Sequence, residues 1–239
     1  MICLFILNGK KELSINILGF FVLGYFLISS LSFYGCDSNS GINGSLNEGV
    51  VVYDVDFQNV DAGINGAMMP SEIKTYVLNG KTATLISAGM GLVETKVISN
   101  PIDKEYQTLV SAMGQKIALV MNEQQVRGNF QDRVSLELTY TGNEKEIAGV
   151  NCKEVMVRDS TDNVYSVYYC DAFNIDNPNW GTPFHEIDGV LMEYSMKFGD
   201  AVMNLKAKKI LKDSIKSEFF EVPDDYEIIT DPSQLEFIL

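Results

Sequence analysis

The stretch "GVLMEYSMKFGDAVMNLKAKKI" (residues 189–210) decides the fold, because its residues can be arranged as a single β-hairpin. Apolar and polar side chains alternate on both sides of Gly199-Asp200, which predicts two antiparallel strands joined by a turn at these two residues. A slip of one residue would turn the whole apolar set toward water, so the register is well specified. The apolar face of this hairpin, which we expect to be buried, then carries Val190, Met192, Tyr194, Met196, Phe198, Ala201, Met203, Leu205 and Ala207.

A second hairpin is indicated by Asn79-Gly80 within "EIKTYVLNGKTATLIS" (residues 72–87). A type I′ turn needs positive φ at both central residues, and asparagine followed by glycine meets that need. A turn at this place predicts two cross-strand pairs, Leu78 with Lys81 and Tyr76 with Ala83.

The remaining chain alternates strand-like runs with turn signals and has no long helical period. It therefore predicts a mainly β protein built on an antiparallel meander sheet, with one or two short helices. The segment "NEQQVRGNFQDR" (residues 122–133) is where a short helix is expected. Further strands are expected at about residues 49–58, 95–100, 105–111, 116–121 and 135–141.

The N-terminal region has the parts of an export signal. Two lysines precede an apolar run at residues 15–31, and Gly35 then precedes Cys36. This arrangement predicts a signal peptide that is cut before a lipid-modified Cys36. An uncleaved single-span anchor is the alternative, because a bilayer span needs about 20 apolar residues.

The predicted organisation has four parts. They are a signal peptide at residues 1–35, a lipid-anchored flexible tether at 36–49, a β domain at 50–230 and a C-terminal tail at 231–239. We expect the protein in the cell envelope, attached to a bacterial membrane through acylated Cys36, on the periplasmic face rather than the cell surface. Its net charge of −14 repels phosphate groups, so nucleic acid is not an expected partner.

Two inner cysteines mark another hairpin in "NCKEVMVRDSTDNVYSVYYC" (residues 151–170). A five-residue loop at 159–163 would pair Arg158 with Val164, and counting back along both strands sets Cys152 opposite Cys170. Because an exported chain meets an oxidising compartment, a cross-strand disulfide is predicted. The alternative is two small buried thiols that never bond.

Catalytic, metal and cofactor sites are not predicted. His185 is the only histidine, and no Gly-x-Ser-x-Gly elbow or comparable nucleophile motif accompanies it. Two cysteines and one histidine supply too few soft ligands for a closed zinc site, and phosphate-cradling glycine loops are missing from the sequence. A hydrolase that uses His185 with nearby Asp171, Asp176, Glu186 or Asp188 remains a third hypothesis.

The longest irregular stretch, "DAFNIDNPNWGTPFHE" (residues 171–186), joins the cysteine hairpin to the methionine hairpin. It carries Trp180, the only tryptophan, together with Phe173 and Phe184. An aromatic loop in this position could cap the mouth of a cavity or plug the end of a core.

Three stretches resemble, in order, motifs of a group of small exported bacterial lipoproteins of unknown function. "EIAGVNCKEVMVRD" (146–159) is similar to its I-x-G-x-x-C-K-x strand, and "VYSVYYCDAF" (164–173) to its x-V-W-x-T-D strand. "SEFFEVPDDYEII" (217–229) resembles its closing F-x-V-P-x-G-Y segment. The chain departs from this pattern at Asp225, where glycine is usual, and at Cys170, where a threonine-like residue is usual.

The group itself resembles in fold the Lol-type lipoprotein carriers of the periplasm. Their curved antiparallel sheet forms a half-open barrel around an apolar cavity that receives acyl chains. The resemblance therefore implies a single, strongly curved antiparallel meander sheet in an envelope protein of a Gram-negative bacterium. It supplies no catalytic residues.

The favoured hypothesis is non-enzymatic binding of an apolar ligand, a lipid or an acyl chain, in the concave cavity of the sheet. The alternative is an interaction or scaffold module with a filled core, which binds protein or glycan through its loops and has other envelope proteins as partners. An open apolar trough would favour the first and a filled core the second. The residues expected to bind the ligand are Met192, Tyr194, Met196, Phe198, Met203 and Leu205, with Trp180.

Overall fold

The computed structural model describes residues 45–58, 69–132, 134–198 and 201–234, with side chains described for all of these except Lys197 and Phe198. The predicted signal peptide, the acylation site Cys36 and the last part of the predicted tail lie outside the described residues. None of the helices in the described part of the chain has the length and apolar content that crossing a bilayer requires.

One open sheet of 12 strands forms the described body. Most of its strands agree with the predicted runs, but the strand expected at about 135–141 continues to Ile147, and the short strand Glu227–Ile229 was not predicted. In chain order the strands are β1 (Glu48–Gln58), β2 (Glu72–Leu78), β3 (Lys81–Ala88), β4 (Val93–Asn100), β5 (Glu105–Ala112), β6 (Gln115–Met121), β7 (Glu137–Ile147), β8 (Val150–Arg158), β9 (Val164–Cys170), β10 (Val190–Phe198), β11 (Ala201–Leu211) and β12 (Glu227–Ile229).

The strand order is β12-β6-β5-β4-β3-β2-β1-β11-β10-β9-β8-β7. The sheet therefore consists of two antiparallel meanders, β1 to β6 and β7 to β11, which meet where β1 pairs with β11. This corrects the prediction of a single meander, because the chain leaves β6 and restarts with β7 at the far edge. It also corrects the purely antiparallel prediction, since β12 pairs with β6 in parallel.

The Asn79-Gly80 hairpin is confirmed. Asn79 and Gly80 have φ values of 48° and 82°, as a primed turn requires. The predicted pairs of Leu78 with Lys81 and of Tyr76 with Ala83 are both present.

The methionine hairpin also has the predicted register, with Tyr194 opposite Leu205 and Met196 opposite Met203. The apolar residues Ala201, Met203, Leu205 and Ala207 of β11 are buried, whereas Lys206 and Lys208 between and after them are exposed. The buried and exposed faces are therefore those that the sequence indicates. We call the face that carries Tyr53, Thr75 and Leu205 the cavity face, because it borders the cavity described below.

The opposite face of the first meander is covered by the chain between β11 and β12. Phe220 is buried there against Ala83, Ile98 and Leu109. Lys96 donates a hydrogen bond of 3.1 Å to the carbonyl oxygen of Phe219, and its ammonium lies 4.6 Å from the centre of the Phe219 ring. This segment keeps solvent from an apolar surface and delivers β12 to the edge of β6.

The short helix predicted within residues 122–133 is present as α1 (Glu123–Val126), which continues as a wider turn to Gln131. It begins with a capping box, in which the side chains of Asn122 and Gln125 each accept a hydrogen bond of 3.0 Å from the other's backbone N–H. Its Val126 is completely buried against Trp180 and Tyr106.

The cysteine hairpin has the predicted register, with Arg158 opposite Val164 and Val155 opposite Val167. The predicted disulfide between Cys152 and Cys170 is not formed, and both residues are free, buried thiols. The thiol of Cys152 donates a hydrogen bond of 3.5 Å to the carbonyl oxygen of Val150. The neighbouring Cys170 thiol, together with burial, raises the pKa of Cys152, which favours the protonated thiol.

Candidate functional site

A cavity of about 170 Å³ lies on the cavity face. Residues of β1 to β5 line one part of it, and residues of β10 and β11 line another. Residues 178–184, which belong to the irregular stretch between β9 and β10, complete its wall. Met196 stands at its exposed side, with 38% of its surface accessible to solvent.

Five of the seven predicted ligand-binding residues line this cavity: Tyr194, Met196, Met203, Leu205 and Trp180. Met192 does not line it. The pairing of β10 with β9 is irregular between Leu191 and Glu193, and Met192 at that point is completely buried in the core beside the two cysteines. The side chain of Phe198 lies outside the described residues.

Among the residues that the structure describes, none with a charged side chain lines the cavity. This is notable in a chain with 18 basic and 32 acidic residues, because those groups are excluded from this one surface. Lys104 comes near, with its ammonium 5.4 Å from the centre of the Trp180 ring, but it does not belong to the lining. The wall therefore offers apolar contacts and neutral hydrogen-bonding groups only.

Hydroxyl groups of β2, β3 and β4 form one side of the wall. Thr75 and Thr84 lie opposite one another, with their hydroxyl oxygens 3.0 Å apart. Ser99 donates a hydrogen bond of 3.0 Å to the carbonyl oxygen of Trp180. Thr82 is only 8% exposed, and its hydroxyl has no hydrogen-bond partner among the described residues. The first meander thus contributes a polar but neutral side.

Apolar and aromatic side chains form the other side. Tyr53 and Tyr194 meet edge to face with ring centres 6.0 Å apart, and Phe184 contacts Tyr194 in the same manner at 5.9 Å. Burial raises the pKa of both tyrosine hydroxyls, so they are neutral hydrogen-bonding groups.

The segment at 178–184 is held firmly in place. Asn179 is buried, and its side-chain amide donates to the carbonyl oxygens of Ile187 at 2.6 Å and Gly189 at 2.9 Å. Trp180 packs against Tyr106, with ring centres 6.4 Å apart. These contacts explain how an irregular stretch keeps its backbone hydrogen-bonded and its aromatic residues inward.

Gly181 suits this segment for two reasons: its backbone has positive φ, and a neighbouring ring leaves no room for a side chain. Its φ is +81°, and a Cβ atom placed there would lie 2.5 Å from the ring of Tyr106. A side chain at this position would therefore push Tyr106 out of the cavity wall.

A larger groove of about 380 Å³ lies on the opposite face of β2 and β3. It is lined partly by Glu72 and Lys74, which form an ion pair at 3.3 Å, and Lys208 pairs with Glu72 from β11 at 2.8 Å. Charged, solvated walls of this kind do not suit an apolar ligand. Despite its smaller volume, the uncharged cavity is the better candidate site.

The residues considered for catalysis are not brought together. Asp171 pairs with Lys153 at 2.7 Å, and the Nδ1 atom of His185 is buried without a hydrogen-bond partner among the described residues. No group of three or more metal-binding side chains converges within the described ranges. In the described part of the chain, the histidine and the nearby carboxylates therefore have no triad geometry.

Several lining residues were missed by the sequence interpretation, chiefly Tyr53, Thr75, Thr82, Thr84 and Ser99. For the threonines a signal was present, since the Asn79-Gly80 turn already placed Thr75 opposite Thr84 on one face. For Ser99 and Tyr53 no such signal existed, because their positions depend on strands distant in sequence.

No protein-family model matches the chain, and a comparison with curated proteins finds no match.

Proposed function

We propose that the protein binds an apolar ligand without catalysing a reaction, and that one part of a lipid or acyl chain occupies the cavity beside Met196, Met203 and Leu205. The observation that carries this proposal is the uncharged wall of the cavity in an otherwise strongly acidic protein. Removal of apolar surface from water would drive binding, at about 25 cal/mol per Å².

The size of the cavity limits what can be enclosed. Its 170 Å³ is close to the roughly 150 Å³ of an engineered apolar cavity that binds benzene. One ring, or the end of a hydrocarbon chain, fits inside. A longer chain would leave the cavity past the partly exposed Met196.

We further propose that the sheet bends into a half-open barrel, as the resemblance to the Lol-type carriers implies. The hydroxyl of Tyr53 on β1 reaches the carbonyl oxygen of Leu191 on β10 at 2.7 Å, although β11 lies between them. In a flat sheet these strands would be two spacings of about 4.8 Å apart, and a side chain would stand perpendicular to the sheet. The contribution of both β4 and β10 to one small cavity also supports bending.

The proposed location rests on the N-terminal sequence alone. Under this proposal the chain is an envelope lipoprotein, attached by acylated Cys36 and directed to the periplasm. Mass spectrometry of the mature N-terminus tests it. A chain that begins at acylated Cys36 is expected, and an intact Met1 would contradict it.

Binding can be tested with an elongated fluorescent apolar probe such as 1,6-diphenyl-1,3,5-hexatriene, whose terminal ring is small enough for the cavity. We expect saturable enhancement of probe emission with one molecule per chain. Met196→Arg places a charge at the opening and should weaken binding by about tenfold, since a charge is costly to desolvate. Met113→Arg is the matched control, because Met113 is exposed and does not line the cavity. No enhancement, or equal binding by all three proteins, would contradict the proposal.

The second candidate, an interaction module that binds through its loops, is favoured by one observation. Met90, Leu92 and Met113 are 86%, 64% and 96% exposed in the turns that follow β3 and β5. Val93 and Ala112 form the last pair between β4 and β5. Leu92 precedes Val93 and Met113 follows Ala112, so the two turns are neighbours. Exposed apolar residues grouped in this way are typical of protein contacts.

Photo-crosslinking from position 92 in intact cells tests the second candidate. A discrete cross-linked envelope protein that disappears in Met113→Asp would support it. Absence of any cross-linked product would count against it.

A further inference from the structure

We infer that the group held in the cavity is uncharged and carries a hydrogen-bond acceptor, such as an ester carbonyl, beside its apolar part. This inference rests on the proposed function and narrows the ligand class: acyl esters and amides fit, whereas free carboxylates do not. It depends on two properties of the wall, the exclusion of charge and the unpaired hydroxyl of Thr82.

The exclusion of charge decides against an ionised ligand group. A carboxylate moved from water into this cavity would find no lysine, arginine or histidine among the described residues of the wall. Burial of an unpaired charge is far more costly than burial of a neutral polar group. Lys104 does not provide the missing partner, because it lies over the Trp180 ring outside the lining.

The hydroxyl side decides against a purely hydrocarbon ligand. Thr82 lines the cavity and is 8% exposed, and its hydroxyl, which makes no side-chain hydrogen bond among the described residues, is still accessible to water. A ligand that displaces this water must offer an acceptor if the hydroxyl is to keep a hydrogen bond. The Thr75 and Thr84 hydroxyls lie 3.0 Å apart, and Thr75 also interacts with the Tyr53 hydroxyl, so these hydroxyls form a neutral polar group that borders the cavity.

The two sides of the wall face one ligand and set its polarity. Met203, Leu205 and Tyr194 supply the apolar side, and the threonines of β2 and β3 supply donors within the same 170 Å³. A carbonyl next to a ring or short chain satisfies both sides at once. A carbonyl group next to a hydrocarbon chain is also present where an acyl chain is joined to glycerol or to a protein through an ester or amide.

Three small probes with the same ring separate these possibilities: toluene, methyl benzoate and benzoate at pH 8. The readout is the NMR signal of the Trp180 indole N–H in the whole protein, which is a single signal because the chain has one tryptophan. We expect methyl benzoate to bind at least about tenfold more tightly than benzoate, because only the second carries a charge into the wall.

Variants of Thr82 test the donor. Thr82→Val keeps the shape and should weaken methyl benzoate about fivefold, the contribution of one hydrogen bond, while toluene changes less than about twofold. Thr82→Ser keeps the hydroxyl and should therefore keep the ratio of methyl benzoate affinity to toluene affinity. Thr108→Val is the matched control on the cavity face, because Thr108 does not line the cavity.

The outcomes distinguish the inference from the function on which it rests. If none of the probes shifts the indole signal, the proposed binding function fails together with the inference. If toluene binds but benzoate binds as tightly as methyl benzoate, the inference is overturned and apolar binding stands. An unchanged ratio of ester to toluene affinity in Thr82→Val would overturn it as well.

Discussion

Tyr53 and Leu191 are joined by a hydrogen bond of 2.7 Å from the tyrosine hydroxyl to the leucine carbonyl oxygen, across the intervening strand β11. Both residues are buried and line the cavity. The bond connects the first meander to the second at the place where the candidate ligand site lies, so it contributes to stability and to the shape of the site.

Tyr53→Phe removes this bond and keeps the ring. We expect the free energy of unfolding to fall by about 1–2 kcal/mol, because a buried carbonyl oxygen loses its donor. Urea denaturation followed by Trp180 fluorescence measures it. Tyr140→Phe is the control, since the Tyr140 hydroxyl makes a longer bond of 3.3 Å to Glu186 at an exposed position. Equal losses in both variants would contradict the prediction.

Glu154 connects three strands through four hydrogen bonds to its carboxylate. Ser166 and Tyr168 donate to one oxygen at 2.7 and 2.9 Å, and Thr141 and Asn143 donate to the other at 2.8 Å each. These bonds, led by that of Ser166, lower the pKa of Glu154 from its ordinary 4.5 to about 2.

A lowered pKa in the folded protein means that the stabilisation is fully present above about pH 4.5 and is lost as the pH falls toward 2. Glu154→Gln should therefore lower stability at pH 7 and flatten the decline of the urea midpoint between pH 4.5 and 2. Glu146→Gln, an exposed position on β7, should keep the slope of the wild type. An unchanged slope in Glu154→Gln would show that the carboxylate contributes nothing.

Gly181→Ala tests the packing of the segment that completes the cavity. The required φ of +81° and the Tyr106 ring at 2.5 Å from the new Cβ should together cost about 1–3 kcal/mol of stability. Thermal unfolding measures the loss. Gly128→Ala is the control, because its Cβ would meet no atom within 4 Å and its backbone is helical. Gly128→Ala is expected to be neutral or stabilising. A Gly181→Ala protein that is as stable as the Gly128→Ala protein would contradict the structure.

Cys152 and Cys170 should both react with iodoacetamide after unfolding without reductant, because they are free thiols. In the folded protein their reaction should be slow, since both thiols are buried. Peptide mass spectrometry measures both. If both cysteines are alkylated only after reduction, the disulfide that the sequence predicts is present and the structure is wrong at this point.

The local pairings could be read from the sequence, because a turn fixes register over the residues beside it. Asn79-Gly80 set the pair of Tyr76 with Ala83, and the loop at 159–163 set Arg158 opposite Val164. The faces of the methionine hairpin followed from the alternation of its side chains. Each of these depends on contacts within about 20 residues of sequence.

Features that depend on distant contacts could not be predicted. Nothing near β1 in the sequence indicates that β11 pairs with it, or that the chain beyond β11 crosses the opposite face to place β12 beside β6. Met192 fits the alternation perfectly, yet the irregular pairing at Leu191 and Glu193 removes it from the cavity. The unpaired hydroxyl of Thr82 becomes meaningful only when the surrounding wall is known to lack charge.

The most direct measurement for the central claim is mass spectrometry of small molecules that remain bound to the protein when it is purified from membranes. The account predicts a stoichiometric acyl ester or amide in the wild-type protein, retained in Met113→Arg and lost in Met196→Arg. Protein that carries no acyl compound in any of the three forms would contradict it.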